Sequence, residues 1–398
     1  MKSQTALRLA FVTSHPIQYY APLFRALAQR LDLVVFFAHR TIASDQAKAG
    51  FGVEFEWDVN LLSGYAHTFL RNVATRPALD RFSGCDTPEI GKRLREGRFD
   101  TVLVQGWYLK SFLQAVIAAK LQGVPVLARG DSHLDTPRSV LKRTAKSALY
   151  PAFLRLFDAA LHVGERSRIY WRRYGYPASR LFFSPHCIDA AWFAARATVQ
   201  ARSELRAQLG IRADAKVALF AGKLMPLKRP MDILAAAARL KAGGRELCLL
   251  VAGAGLLESE MLAAARTAGI SIHMLGFCNQ SAMPKIYAAA DVLILPSEQE
   301  TWGLVANEAL ACGRPVILSE AVGSAPDLAA DGSVGRVFPA GNVGALAEAI
   351  ADLLDNPPSP AAIAAKSAAF SLERATEGIM RAACFVVDRR ARADVSSR

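Results

Sequence analysis

Long apolar runs are missing from this 398-residue chain. No stretch approaches the ~20 apolar residues that a membrane-crossing helix needs, which argues against a helical membrane protein. The apolar stretch Leu7–Val12 is short, carries Arg8 and leads directly into Thr13-Ser14-His15-Pro16. It reads as a buried first strand, not a secretory leader. Cysteine is sparse: Cys85, Cys187, Cys248, Cys278, Cys312 and Cys384 form no Cys-x-x-Cys and join no His at zinc spacing. Several lie in apolar segments, where Cys acts as a small hydrophobe. A reducing, cytoplasmic setting is expected, and a disulfide scaffold is not. Acid is also in short supply, with 35 Asp and Glu against 48 Lys and Arg. The deficit falls in the first half: residues 1–200 hold 27 basic and 15 acidic groups, the remainder 21 and 20. A basic half suits an anionic partner. No nucleic-acid reading motif accompanies the charge, so nucleic acid is not the expected partner.

What is present is a globular composition, 52% hydrophobic and 21% charged, with length for two cores. Strand-like and helix-like segments alternate. Strands are expected at 7–13, 33–37, 101–104, 124–128, 159–163 and 181–183, then at 217–222, 247–252, 272–276, 291–295 and 315–318. Helices are expected at 22–31, 111–121, 231–240, 285–290 and 345–355, with a long final one from about 370. Such alternation predicts parallel sheets covered by helices. The implied division is 1–187, a linker at 188–204, a second domain at 205–370, and a terminal helix at 371–398. Residues 41–98 are poorly periodic and read as long loops with one short helix.

The most informative stretch runs from Pro296 to Ile317, Pro-Ser-Glu-Gln-Glu-Thr-Trp-Gly-Leu-Val-Ala-Asn-Glu-Ala-Leu-Ala-Cys-Gly-Arg-Pro-Val-Ile. It reads as strand end, loop, short helix, Gly313 stop and next strand. Glu300 stands before the helix and Glu308 about two turns on, a span of roughly 12 Å on nearly one face. Between them lies a helix N-terminus with free N–H groups, which favours an anion. Gly303 lets the backbone come close to it. A ligand with hydroxyls at both ends and a diphosphate between would fit. Two Glu eight apart are often mere solvated charges; the setting between strand, Trp302-Gly303 and Gly313-Arg314-Pro315 favours the site.

This stretch resembles the Glu-x7-Glu signature of retaining glycosyltransferases of family 4, without insertion. The resemblance implies the GT-B fold: two Rossmann-like parallel-sheet domains facing a central cleft, with a C-terminal helix crossing back to the first domain. It implies that Glu300 holds the donor sugar and Glu308 the ribose. Gly222-Lys223-Leu224 and Lys228 match the family's cations on the donor diphosphate, where growing negative charge must be stabilised. Phe277, Trp302, Gly303 and Leu304 complete the donor-binding set, with Phe277 near the base. Family members often have a His after the strand at 124–128, where Asp131 and His133 stand, and either could reach the donor sugar. The catalytic candidates are therefore Glu300, Lys228, Lys223, Asp131 and His133. The loop Ser14–Tyr20 departs from the family's Gly-Gly loop; His15, Gln18 and Tyr19 are acceptor-binding candidates beyond a strand end.

No Asp-x-Asp follows an apolar strand, so neither a metal nor another cofactor is expected. Gly253-Ala254-Gly255 lacks the third Gly of a dinucleotide fingerprint. Arg138, Lys142, Arg143, Lys146 and Arg155, interleaved with apolar residues, suit an anionic membrane surface equally as a solvated helix face. The implied function is metal-independent transfer of a hexose, with retention, from a UDP- or GDP-sugar to a glycan or lipid-linked acceptor. Cell-surface polysaccharide or glycoconjugate synthesis is the expected setting, in the cytoplasm or peripherally on the inner face of its membrane. The alternatives are a nucleotide-sugar epimerase or hydrolase on the same fold, and a non-catalytic glycan-binding protein.

Overall fold

The computed structural model describes residues 7–43, 53–135 and 139–396. The chain divides into two compact units. The first comprises Met1–Thr41, Asn60–His186 and Leu372–Arg398; the second comprises Ile42–Val59 and Cys187–Ser371.

The first unit is built on seven strands: β1 (Arg8–Thr13), β2 (Asp32–Phe37), β3 (Ala66–Phe69), β4 (Thr101–Gln105), β5 (Val126–Gly130), β6 (Ala159–His162) and β7 (Leu181–Phe183). All pair in parallel in the order β3-β2-β1-β4-β5-β6-β7. Leu9 to Val12 and Val102 to Val104 are wholly buried, as continuous apolar strands covered on both faces must be. The helix Lys110–Leu121 buries Phe112, Ala115, Val116 and Ala119 against one face. The long helix Leu372–Ser396 belongs to this unit and packs beside β6, β7 and the helix Tyr20–Ala28. Phe385 lies 5.4 Å from Phe182, and Ser184 donates to the Ala375 carbonyl at 3.0 Å.

The second unit carries β8 (Val217–Ala221), β9 (Cys248–Ala252), β10 (Ile272–Met274), β11 (Val292–Leu295), β12 (Val316–Ser319) and β13 (Gly335–Phe338), in the order β10-β9-β8-β11-β12-β13. Taken along the chain this is 3-2-1-4-5-6, the doubly wound dinucleotide-fold order. The helices Pro230–Ala242 and Val343–Asp355 meet over it. Residues read as a linker form two helices, Ala190–Arg196 and Val199–Gln208, capped by Asp189 and Thr198. Arg202 and Arg206 of the second helix pair with Asp291 at 2.7 and 3.0 Å, pinning it to the start of β11.

The central strands lie where the sequence places them. The edge strands β3 and β13 do not follow from the apolar pattern. Of the poorly periodic stretch, residues 53–59 lie on the second unit. Phe55 packs on Phe277 at 4.2 Å, and Asn279 donates to the Glu56 carbonyl at 2.7 Å. The Ser281 amide donates to the Asp58 carboxylate at 3.2 Å. Among the described residues, no helix is long and apolar enough to cross a membrane.

Candidate functional site

In each sheet the strand order reverses beside the first strand, and ligands in such folds bind beyond the strand C-termini there. In the second unit this place lies between β8 and β11. β8 runs into Gly222-Lys223-Leu224 and a single turn, Pro226–Lys228. The loop after β9 clamps it: the Gly222 amide donates to Ala252 O, and the Leu224 amide to Ala254 O, both at 2.9 Å. Glycine is required for this approach. A Cβ on Gly253 would lie 1.8 Å from the Gly222 carbonyl oxygen, and one on Gly255 2.5 Å from that of Leu224. Gly253-Ala254-Gly255 is thus a device for close backbone packing. From the other side the Glu298 amide donates to Leu227 O at 2.9 Å.

The loop after β11 is equally tied down. The Gly323 amide donates to Glu300 O at 2.8 Å and the Ser324 amide to Trp302 O at 3.1 Å. Trp302 is buried, and its indole N–H donates to Asn307 Oδ1 at 2.9 Å. Gly303 caps the helix Leu304–Ala311 with φ 88°, a left-handed backbone that suits glycine. The first amides of this eight-residue helix lack intrahelical partners.

These two loops bring together residues some seventy positions apart. Lys228 donates to the Glu300 carboxylate, and both side chains are nearly four-fifths buried. Burial holds the Lys223 ammonium below its ordinary pKa; the charge of Lys228 adds to this and Glu300 opposes it. Glu308 is buried and accepts from the Tyr287 hydroxyl at 2.6 Å. Phe277 follows β10, its ring against Phe55. A cavity of about 340 Å³, bordered by Lys216, Lys241 and Ser271, opens at the N-terminal ends of these strands, the opposite edge from the motifs.

The corresponding place in the first unit has other chemistry. Ser14 follows β1 and contacts His15 Nδ1 at 2.9 Å. Gln18 is buried, while His15 and Tyr19 are half-buried. Gln105, ending β4, donates to the Tyr20 hydroxyl at 3.0 Å. Arg129 on β5 is fully buried and donates to Pro185 O at 2.6 Å, and to Ser184 O and Oγ at 3.2 Å. Asp131 leaves the strand with its side chain 45% exposed, and His186 Nε2, only 6% exposed, stands 3.5 Å behind it. His133 is 12% exposed and faces Asp135, which pairs with Arg166 at 3.0 Å. The recessed setting of Asp131 works to raise its pKa, but the hydrogen bond from His186, aided by the charge of Arg129, prevails and holds it below the usual carboxylate range. Burial depresses the His186 pKa; Asp131 opposes this and the charge of Arg129 reinforces it.

Residues 201–369, which hold the lysines and both Glu residues, match the family profile described as glycosyl transferases group 1. This region resembles the group 1 glycosyltransferases. The D-inositol 3-phosphate glycosyltransferase of Mycolicibacterium smegmatis is 37% identical over 174 residues, 43% of this chain and 39% of that protein. The chain thus spans under two fifths of that relative's length. Anabaena Alr3699/HepE in complex with UDP shares 17% identity at TM-score 0.70, over 94% of this chain and 99% of its own. A glycosyltransferase from Rickettsia africae shares 12% at TM-score 0.71, over 96% and 99%. These structures show that the two-sheet GT-B fold extends over nearly the whole chain.

Within the matched region, the structure joins Lys228 to Glu300 and places Glu308, on the helix that follows, against Tyr287. Trp302 lies beneath the loop, with its N–H engaged by Asn307. In the first unit, Asp131 is the more exposed of the two residues left open after β5. Sequence reasoning missed Tyr287, Gln105, Arg129, His186 and the 55–58 segment. Arg129 had a signal, a charge ending an apolar strand. Of the basic segment after β5, Arg138 and the side chains at 140–143 lie outside the described residues. Lys146 turns onto the rings of Tyr150, Tyr170 and Tyr174, at 4.3, 4.6 and 5.2 Å.

Proposed function

We propose that this protein is a retaining glycosyltransferase that moves a sugar from a UDP- or GDP-sugar to a glycan or lipid-linked acceptor. The observation that carries the reading is the meeting of Lys228 and Glu300 beside a helix N-terminus, at the switch point of the matched region. Lys223, Lys228 and the amides after Gly303 would receive the diphosphate. As the sugar–phosphate bond breaks, charge grows on that group, and fixed cations stabilise it more in the transition state than before. Glu300, released from Lys228 by the competing anion, would accept sugar hydroxyls, and Glu308 the ribose hydroxyls. The acceptor would attack from the leaving-group face, its proton passing to the departing diphosphate. No step in this scheme calls for a metal ion. The relatives named as glycosyltransferases, and the UDP held by the Anabaena protein, support the same ligand class.

A thermal-shift panel of UDP-, GDP- and ADP-sugars without added metal tests the reading. A ligand at a hundred times its Kd adds about 2.7 kcal/mol, a shift of several degrees. Stabilisation by one nucleotide class is expected; none by any nucleotide-sugar would sink the proposal.

Cytoplasmic work at an anionic membrane surface belongs to the same proposal. Leu149 and Leu156 are 69% and 41% exposed beside the exposed Arg155. Salt-sensitive co-sedimentation with anionic vesicles is expected, and no binding at low salt would rule it out.

A further inference from the structure

The pair formed by Asp131 and His186 is asymmetric. Asp131 is 45% exposed at the C-terminal edge of the sheet, whereas His186 is 6% exposed and stands behind it. The carboxylate is therefore open to a ligand while the imidazole that holds it is not. The imidazole is itself held from behind. The Arg129 guanidinium, with no exposed surface, donates to the carbonyls of Ser184 and Pro185, the residues immediately before His186. Ser184 Oγ in turn donates to Ala375 O of the final helix. A buried guanidinium must have its N–H groups satisfied, and here that requirement fixes the backbone that delivers His186.

We propose that His186 is a positioning residue: its Nε2–H orients the Asp131 carboxylate so that the free oxygen accepts a hydrogen bond from a substrate hydroxyl. This rests on the transferase reading above. Protonating His186 would set a second cation beside Arg129, so the imidazole acts as a neutral donor and the pair keeps one negative charge on Asp131. The charged or titratable groups that bear on the pair include Arg129 from β5 and Tyr108 from the loop after β4, itself beside Ser14. The final helix meets this backbone through uncharged groups, the Ala375 carbonyl that accepts from Ser184 and Gly378 against Phe183 and Ser184. A hydrogen bond to an ionised carboxylate is about twice as strong as a neutral one, so losing either the charge or the orientation is costly.

The test is the pH profile of kcat/KM for wild type, Asp131→Asn, His186→Ala and His186→Gln, with nucleotide-sugar binding followed in parallel by thermal shift. Asp131→Asn and His186→Ala are expected to lower kcat/KM about 10- to 100-fold, the range of a charge-assisted hydrogen bond. His186→Ala should also move the acid limb to higher pH, because without the donor the Asp131 pKa rises. His186→Gln, which keeps an N–H donor, should restore part of both. The double variant Asp131→Asn/His186→Ala should be no worse than Asp131→Asn alone. An acid limb unmoved in His186→Ala and in His186→Gln, with nucleotide-sugar binding intact, overturns the proposal. If His186→Ala fails to fold, full activity with an unmoved limb and no added penalty from Asp131→Asn in the His186→Gln background overturns it equally. Failure of wild type to bind any nucleotide-sugar overturns the transferase reading instead.

Discussion

The two sheets share a strand order around their switch points, yet they furnish those places in opposite ways. In the second unit the site is made by backbone. Two loops are laced to their neighbours through amide–carbonyl bonds, and glycines at 253, 255 and 303 permit the approach. Lys223, Lys228 and Glu300 then project from rigid supports. In the first unit the site is made by side chains from four strand ends: Ser14 and His15, Gln105, Arg129 and Asp131, and His186. Backbone lacing suits a constant group such as a diphosphate. A floor of side chains can be changed one residue at a time, which under the proposed function suits the variable partner of the transfer.

Three perturbations bear on this contrast. The largest effect is expected from Lys228→Ala and Glu300→Ala, each lowering kcat/KM by about 10²- to 10³-fold, the scale for removing one preorganised charge-stabilising group. Near-normal turnover in both would show that the laced loops do not form the donor site. Next comes Gly253→Ala. Its Cβ would meet the Gly222 carbonyl at 1.8 Å, so overpacking of about 1–3 kcal/mol or more is expected in urea unfolding. Unchanged stability would mean that the lacing is dispensable.

The smallest effect is a pH dependence that falls mainly on the first unit. Burial is the leading cause that depresses the pKa of both His162 and His186 there, and it does the same to His273 on β10 of the second unit. Below the ordinary His value of about 6.5 the unfolded chain therefore binds more protons than the folded one. Their contribution to stability is complete above that value and is lost progressively as the pH falls below it. Melting temperature should be flat above pH 7 and decline below 6.5, with a gentler slope in His186→Gln. Hydrogen exchange should show strands β5 to β7 losing protection before β8, β11 and β12. Equal loss in both units would remove the distinction.

The same contrast explains what could be read in advance. Backbone lacing leaves a local signature, because glycine must stand at fixed offsets from the charged residues it serves. The stretch from Pro296 to Ile317 and the Gly222–Lys228 loop were therefore legible. The side-chain floor leaves none: Ser14 and His186 are separated by most of a domain, and nothing near His186 announces Asp131. Central strands were legible because burial on both faces demands unbroken apolar runs. β3, Ala-His-Thr-Phe, and β13, Gly-Arg-Val-Phe, are four-residue edge strands half open to solvent, too short and too mixed to show an apolar run. Residues 188–204 were read as linker because Asp291, which anchors the helix at 199–208, lies more than eighty residues away.

The segment at 53–59 carries a consequence for engineering. In sequence it lies between β2 and β3, but its ring and hydrogen-bond partners are Phe277, Asn279 and Ser281. The second unit is therefore discontinuous, with a short piece encoded far upstream of the rest. A fragment cut at 187 and 371 would leave Phe277 without Phe55 and the 279–281 turn without its acceptors. Any exchange of halves with a relative has the same difficulty, since the graft would arrive with the second unit from one parent and its upstream segment from the other. Chimeras that carry residues 53–59 along with 187–371 preserve that match.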